Sequence, residues 1–275
     1  MKYIAAFLVL FIATFSFSQK PVELPLWPNG APNDNGLDAQ QPTITVYRPS
    51  HPNGTTVIMC PGGAYVNLAM AHEGHDMAAW FNAQGITYAV LKYRMPNGNS
   101  QVPLSDVEEA IRIVRRHAKE WNIRPERVGI MGASAGGHLA STLATHYSSE
   151  ETRPDFQILL YPVITMDRSF THMGSHDSLI GKDASAETEE KYSNEKQVTP
   201  NTPQAFIVLS SDDSAVVPAN GVCYYLALQK QGVPASMHIY PTGGHGWGFH
   251  DSFVYKRQWT EELEKWLRDG VKFSR

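Results

Sequence analysis

VGIMGASAGGHLASTLA, Val128 to Ala144, reads as a short apolar strand, a turn of small residues and a helix. Its centre, Gly132-Ala133-Ser134-Ala135-Gly136, fits the Gly-x-Ser-x-Gly pattern, in which a sharp strand-to-helix turn lifts a serine hydroxyl above a sheet edge. The residues two before and two after the serine press against neighbouring backbone, where a side chain would clash, and glycine carries none. The helix also aims its free N–H groups and positive dipole end at the turn, where an oxyanion would form during acyl transfer. Ser134 is therefore the candidate nucleophile. The turn lacks the Gly-Lys-Ser/Thr of a phosphate loop and the acidic residue about 20 positions on that a dinucleotide site requires.

Around this stretch, strand-like runs recur at Thr43–Tyr47, Thr55–Cys60, Thr87–Tyr93, Arg127–Met131, Phe156–Tyr161, Phe206–Ser210 and Ser236–Tyr240. Helical periodicity falls between the later ones. Val107, Ala110, Ile111, Val114, Ala118 and Trp121 repeat at three and four residues and predict one amphipathic helix after Pro103. Similar spacing appears over Val222–Leu228 and from Trp259 through Leu263 to Leu267. Strands alternating with helices predict an α/β fold with a mainly parallel sheet covered on both faces. Residues 165–202 break the rhythm. They are polar, rich in Ser, Glu and Lys, and predict an irregular excursion near the functional edge of the sheet, forming a partial wall over the site.

A serine hydroxyl needs a base, and the base needs a carboxylate to fix its tautomer. In this chain order the acid follows the serine and the histidine comes last. Thr242-Gly243-Gly244-His245-Gly246-Trp247-Gly248 directly follows the last predicted strand, which makes His245 the candidate base. The acid belongs just past Phe206–Ser210, where Asp212 and Asp213 compete. Asp213 is favoured by its distance from Val217-Pro218, and Asp212 then takes a structural role in the turn. A glycine-rich loop after an earlier strand, Pro61-Gly62-Gly63-Ala64-Tyr65, brings backbone close to a substrate carbonyl. The N–H groups of Gly63 or Ala64, with Ala135, are the candidate oxyanion donors. Tyr65 and Trp247 flank these groups and are candidates to stack on a sugar or phenolic acyl group. His138, inside the elbow helix, is expected to pack or hydrogen-bond behind the nucleophile.

Taken together, Leu26-Trp27-Pro28-Asn29-Gly30, the Pro61–Tyr65 loop, Lys92-Tyr93-Arg94, the Gly132–His138 run, the Asp212-Asp213 loop and Gly244-His245-Gly246 resemble an α/β-hydrolase of the carboxylesterase type. The chain is similar to secreted bacterial acetylxylan and feruloyl esterases of plant-polysaccharide breakdown. The resemblance covers nearly all the chain after its leader and implies a cofactor-free serine esterase that deacetylates carbohydrate. Feruloyl esterase, general short-chain carboxylesterase and serine peptidase are rival activities on the same fold, and a noncatalytic carbohydrate-binding member is a rival of another class. A glycosidase would need paired carboxylates across a cleft. The chain departs from lipase-like relatives at Pro61, where they carry histidine, and at Ala64, where many carry a third glycine.

Composition narrows the remaining choices. MKYIAAFLVLFIATFSFS, Met1 to Ser18, has one lysine, an apolar core and small residues before the break, and reads as a cleaved signal peptide. Its apolar run of roughly 15 residues is short of the ~20 a spanning helix needs, so export to periplasm or medium without a stable membrane anchor is expected. Residues 19–275 are expected to form a single domain. A net charge of −4, with both signs interspersed, offers no basic stripe for nucleic acid. Cys60 and Cys223 are too few for a disulfide framework and are expected as buried free thiols. His72-Glu73-Gly74-His75 is one residue short of the zinc-helix spacing, and His172 and His176 lack a clear third ligand, so no metal is expected. Arg94 is expected to pair with Asp106.

Overall fold

The computed structural model describes residues 20–37 and 40–272. The leader peptide expected over residues 1–18 lies outside these residues. Eight strands form one sheet, in the order β1-β2-β4-β3-β5-β6-β7-β8. The strands are β1 (Val22–Pro25), β2 (Thr43–Tyr47), β3 (Thr56–Cys60), β4 (Thr87–Lys92), β5 (Val128–Ala133), β6 (Phe156–Leu160), β7 (Gln204–Ser210) and β8 (Ala235–Tyr240). From β4 to β8 every pairing is parallel, and only β1 and β2 join antiparallel. The parallel strands therefore all end on one edge, where loops that carry chemistry gather. The short edge strand β1 has no counterpart in the sequence reading. Its four residues, ending in proline, are too few to show alternation.

The central strands are buried on both faces, and their alternate residues enter two separate cores. In β3, Ile58 and Cys60 join the core beneath α2 (Gln101–Arg116), α4 (Ser134–His146) and α7 (Ala219–Lys230), whereas Val57 and Met59 join the core beneath α1 (Ala78–Ala83) and α8 (Lys256–Lys265). The helix expected across residues 103–121 is two: α2 stops at Arg116, the chain turns at His117, and the short α3 (Ala118–Trp121) follows. The His117 ring stacks on Trp121 at 4.4 Å while its Nδ1 engages the Ile113 carbonyl, so apolar spacing continues across a break in the helix.

The segment 165–202 is not irregular. It carries two short helices, α5 (Met173–Ile180) and α6 (Ala186–Tyr192), whose first turns are capped by the side chains of His172 and Ser185. Such helices are too short for a clear apolar period, and their order comes from caps and ion pairs. The buried His176 lies between Asp177 (2.9 Å) and Glu189 (3.1 Å), tying α5 to α6.

The expected Arg94–Asp106 pair forms at 2.7 Å and is buried. Asp106 also accepts the Trp27 indole N–H, and Arg94 donates to the Pro32 and Asn33 carbonyls, pinning the N-terminal segment to α2. Both cysteines are free. Cys60 is buried as expected but Cys223 is only half-buried, and burial pushes its thiol up to about 12.

Candidate active site

β5 runs directly into α4 at Ser134, which takes a left-handed backbone with φ +53°. For a residue with a side chain that conformation costs roughly 1–2 kcal/mol, and it holds the hydroxyl clear of both elements. The fit is set by backbone on backbone. A side chain at Gly132 would strike the Gly136 carbonyl, and one at Gly136 would strike the carbonyls of Cys60 and Pro61. The same closeness brings the β3 loop against the nucleophile, where a Cβ on Gly62 would stand 2.9 Å from that of Ser134.

The ends of β7 and β8 complete the arrangement. His245 Nε2 lies 2.8 Å from Ser134 Oγ, and His245 Nδ1 lies 2.7 Å from Asp213 Oδ2. An ionised carboxylate only accepts, so Nδ1 carries the proton and Nε2 is left to accept from the serine. Asp213, 5% exposed, is steadied through its other oxygen by the N–H groups of Ala215 (3.0 Å) and Val216 (2.9 Å). Asp212 points elsewhere. Its exposed carboxylate accepts the Gly244 N–H at 2.8 Å, and that bond holds its pKa below the usual carboxylate range. One aspartate thus faces the histidine ring while the other anchors the histidine loop.

The two aromatic candidates are both nearly buried, and Tyr65 also contributes to the lining of a surface pocket with Val66, Met95 and Asn97. Trp247 is 5% exposed, stacked on Phe253 at 4.1 Å, with its N–H on Ser210 Oγ. Tyr65 is 2% exposed and turns its hydroxyl onto His138 Nδ1 at 3.0 Å. Both are core residues: burial satisfies a large ring and its polar tip more completely than the loop surface would. His138 sits behind the nucleophile as expected. Its Nε2 engages the Tyr192 carbonyl at 2.8 Å, and burial lowers its pKa to about 4, keeping it neutral.

Of the other histidines weighed in the sequence, His72 stacks on His250 at 4.3 Å and His75 bonds the Tyr47 hydroxyl. His172, the cap of α5, is held below the usual imidazole range by burial and then by His245, with Asp213 acting in the opposite direction. The 165–202 segment meets the elbow helix through the Tyr192 carbonyl on His138.

Two groups at the site were not among the candidates read from the sequence, where Glu73 stands only inside the rejected His72–His75 metal spacing. Tyr161, one residue past β6 with φ +33°, sets its ring edge-on to His245 at 4.9 Å. The buried Glu73 accepts the Gly62 N–H of the β3 loop and the Tyr161 hydroxyl. A tyrosine at the end of a parallel strand was the one available signal. Glu73 lies 88 positions from its partner and shows none.

Comparison with known proteins fits this geometry. A family model for the alpha/beta hydrolase fold matches residues 57–249. An acetylxylan esterase of Xylanibacter ruminicola is 42% identical over 85% of this chain and 49% of its own length. Endo-1,4-beta-xylanase B of Butyrivibrio fibrisolvens is 35% identical over 69% of this chain and 32% of its own. The chain thus spans half or less of these relatives. In a solved structure, the acetyl ester-xyloside bifunctional hydrolase from Caldicellulosiruptor lactoaceticus, the match reaches a TM-score of 0.82 at 36% identity, covering 90% of this chain and 95% of that one. With the elbow, the strand order and the Ser134–His245–Asp213 contacts in place, the chain belongs to the alpha/beta hydrolase fold family.

Proposed function

We propose that the protein is an exported serine esterase that removes acetyl groups from carbohydrate. The observation that carries this reading is the continuous relay from Ser134 Oγ through His245 to Asp213, with both contacts under 3 Å at 2.8 and 2.7 Å. The names of the acetylxylan esterase and the acetyl ester-xyloside hydrolase support the substrate class. The Met1–Ser18 leader supports export, and no helix among the described residues is long and apolar enough to cross a membrane.

In this reading Ser134 Oγ attacks the acetyl carbonyl as His245 Nε2 takes its proton, and Asp213 stabilises the imidazolium without itself taking the proton. The tetrahedral oxygen is received by backbone N–H groups of Gly63, Ala64 and Ala135. Ala135 belongs to the first turn of α4, whose N–H groups have no partner inside the helix. Collapse of the intermediate expels the sugar alkoxide, which takes the proton from Nε2. Water then attacks the acyl carbon while giving a proton to Nε2, and collapse breaks the bond to Ser134 Oγ, which takes that proton back as the acid product leaves. Every step is served by side chains and backbone, with no cofactor required.

The test is release of acetate and ferulate from acetylated and feruloylated xylan oligomers by the mature chain, with Ser134→Ala as control. The expected result is acetate release, lost in the control while the variant stays folded. Ferulate without acetate would replace the acyl group in this reading, and activity surviving in Ser134→Ala would remove the serine mechanism.

A further inference from the structure

Besides Asp213, two carboxylates are deeply buried beside the functional edge of the sheet, and they are treated differently. Asp106 is neutralised by Arg94 at 2.7 Å. Glu73, 3% exposed, has neither arginine nor lysine among its recorded partners in the described residues; the nearest basic group is His72, whose Nε2 stands 4.0 Å away. A buried carboxylate without a cation is costly unless hydrogen bonds hold it. Here they do: Oε2 accepts the Gly62 N–H at 2.9 Å, and Oε1 accepts the Tyr161 hydroxyl at 2.8 Å.

The two bonds lead to different parts of the site. Fixing the Gly62 N–H orients the chain directly before the Gly63 N–H, and the Gly63 carbonyl is held from the other side by the N–H groups of Val66 and Asn67. The Tyr161 hydroxyl, while donating to Glu73, accepts the Gly248 N–H at 2.8 Å, so it grips the loop that carries His245. Its ring lies edge-on to the His245 imidazole at 4.9 Å. The histidine loop also closes on Glu73 directly. Phe249 N–H donates to the His72 carbonyl at 2.8 Å, and a Cβ on Gly248 would come 3.1 Å from Glu73 Cγ. Burial and the Glu73 charge push the Tyr161 phenol well above its ordinary range, so it stays a neutral donor.

We propose that Glu73 is a positioning residue that sets the oxyanion loop through Gly62 and the histidine loop through Tyr161 and Gly248, as one unit. The proposal rests on the serine-esterase reading. The pairing demands a carboxylate: both neighbours of its oxygens are donors, and a glutamine offers one acceptor oxygen where two are needed. The titratable groups that face Glu73 are His72, Tyr93 and Tyr161, and those that face His245 are Asp213, Tyr161 and His172.

The experiment is steady-state hydrolysis of p-nitrophenyl acetate from about pH 5 to about pH 9 by the parent chain, Glu73→Gln, Tyr161→Phe, the double variant and Ser134→Ala. Glu73→Gln is expected to lose about 10- to 100-fold in kcat with KM within about threefold, the pattern of misplaced groups that act in the transition state. Tyr161→Phe is expected to lose kcat in the same way, with KM little changed. The double variant is expected to be no worse than the more damaged single variant, as members of one linkage are not additive. A folded Glu73→Gln with kcat within about twofold of the parent, or with a loss that lies in KM, overturns the proposal, as do additive losses. If Glu73→Gln does not fold, Tyr161→Phe decides by the same kcat criterion. Each of these failures leaves Ser134→Ala inactive, whereas an active Ser134→Ala overturns the serine reading on which the proposal rests.

Discussion

The β5–α4 elbow and the 165–202 segment both reach the functional edge of the sheet, and they are held there by different means. At the elbow, residues 134–144 are buried without exception, and the glycines stand where a single added carbon would meet backbone. Nothing can shift without the strands on either side shifting too. The 165–202 segment is held by side chains: His172 and Ser185 cap its helices, and Glu189 joins His176 to Arg168. The exposed Ser185 cap and the partly exposed Arg168–Glu189 pair are worth about 1 kcal/mol each or less, while Leu179, Ile180 and Tyr192 join the core. The elbow is thus held by backbone contact on every side, and the 165–202 segment packs beside it through separate side-chain contacts.

The two aspartates after β7 repeat this contrast within two residues, and they offer the largest effect with which to sharpen it. Asp213→Asn is expected to lose about 10⁴-fold in kcat, because an asparagine at this place can hold the wrong imidazole tautomer. Asp212→Asn leaves an acceptor for the Gly244 N–H and is expected to stay within about tenfold of the parent. Stopped-flow or steady-state rates on a soluble acetyl ester measure both. Comparable losses in the two variants would break the distinction between a buried group that faces the imidazole and an exposed one that anchors its loop.

His138 joins the two regions, bonding Tyr65 beside the oxyanion loop and the Tyr192 carbonyl at the end of α6. Burial lowers its pKa in the folded protein to about 4 from the ordinary imidazole value of 6.5. As pH falls below 6.5 the unfolded chain takes up the proton first, so this contribution, complete above 6.5, is lost down to about 4. The full loss is on the order of 3 kcal/mol. His146, His172 and His238 are shifted in the same direction, so the comparison must be with a variant. Between about pH 7.5 and about pH 4.5, urea unfolding of the parent is expected to lose about 2–3 kcal/mol more than that of His138→Gln. Equal losses would mean that His138 does not link the regions through its neutral ring.

What the sequence could and could not disclose follows the same division. The turn at Ser134 is legible because its requirement is local: a strand, two glycines and a helix within a few residues. The alternating hydrophobic runs place the parallel strands within a residue or two of their ends, since burial on both faces leaves a continuous apolar signal. Asp212 and Asp213 could be narrowed only by position, because which carboxylate turns inward is decided by the Ala215 and Val216 N–H groups. Tyr65 and Trp247 stand beside functional loops in the chain yet point into the core. Adjacency in sequence does not give the direction of a side chain. Glu73 and Tyr161 meet only through the packing of distant loops, and the helices α5 and α6 owe their order to caps that carry no periodic signal.

The smallest expected effect lies in the wall itself. Ser185 Oγ accepts the Thr188 N–H at 3.2 Å as the cap of α6, and Ser185→Ala is expected to cost about 1 kcal/mol in urea unfolding. It should leave kcat within about twofold. The reason is the distribution of contacts: α6 reaches the elbow through the Tyr192 carbonyl on His138, while Ser185 sits at the opposite end of the helix beside solvent. A fall in kcat of fivefold or more would show that loosening the first turn travels the length of α6 to His138 and on to Tyr65. In that event the wall and the elbow would respond as one body, and the independence argued from their different means of support would fail.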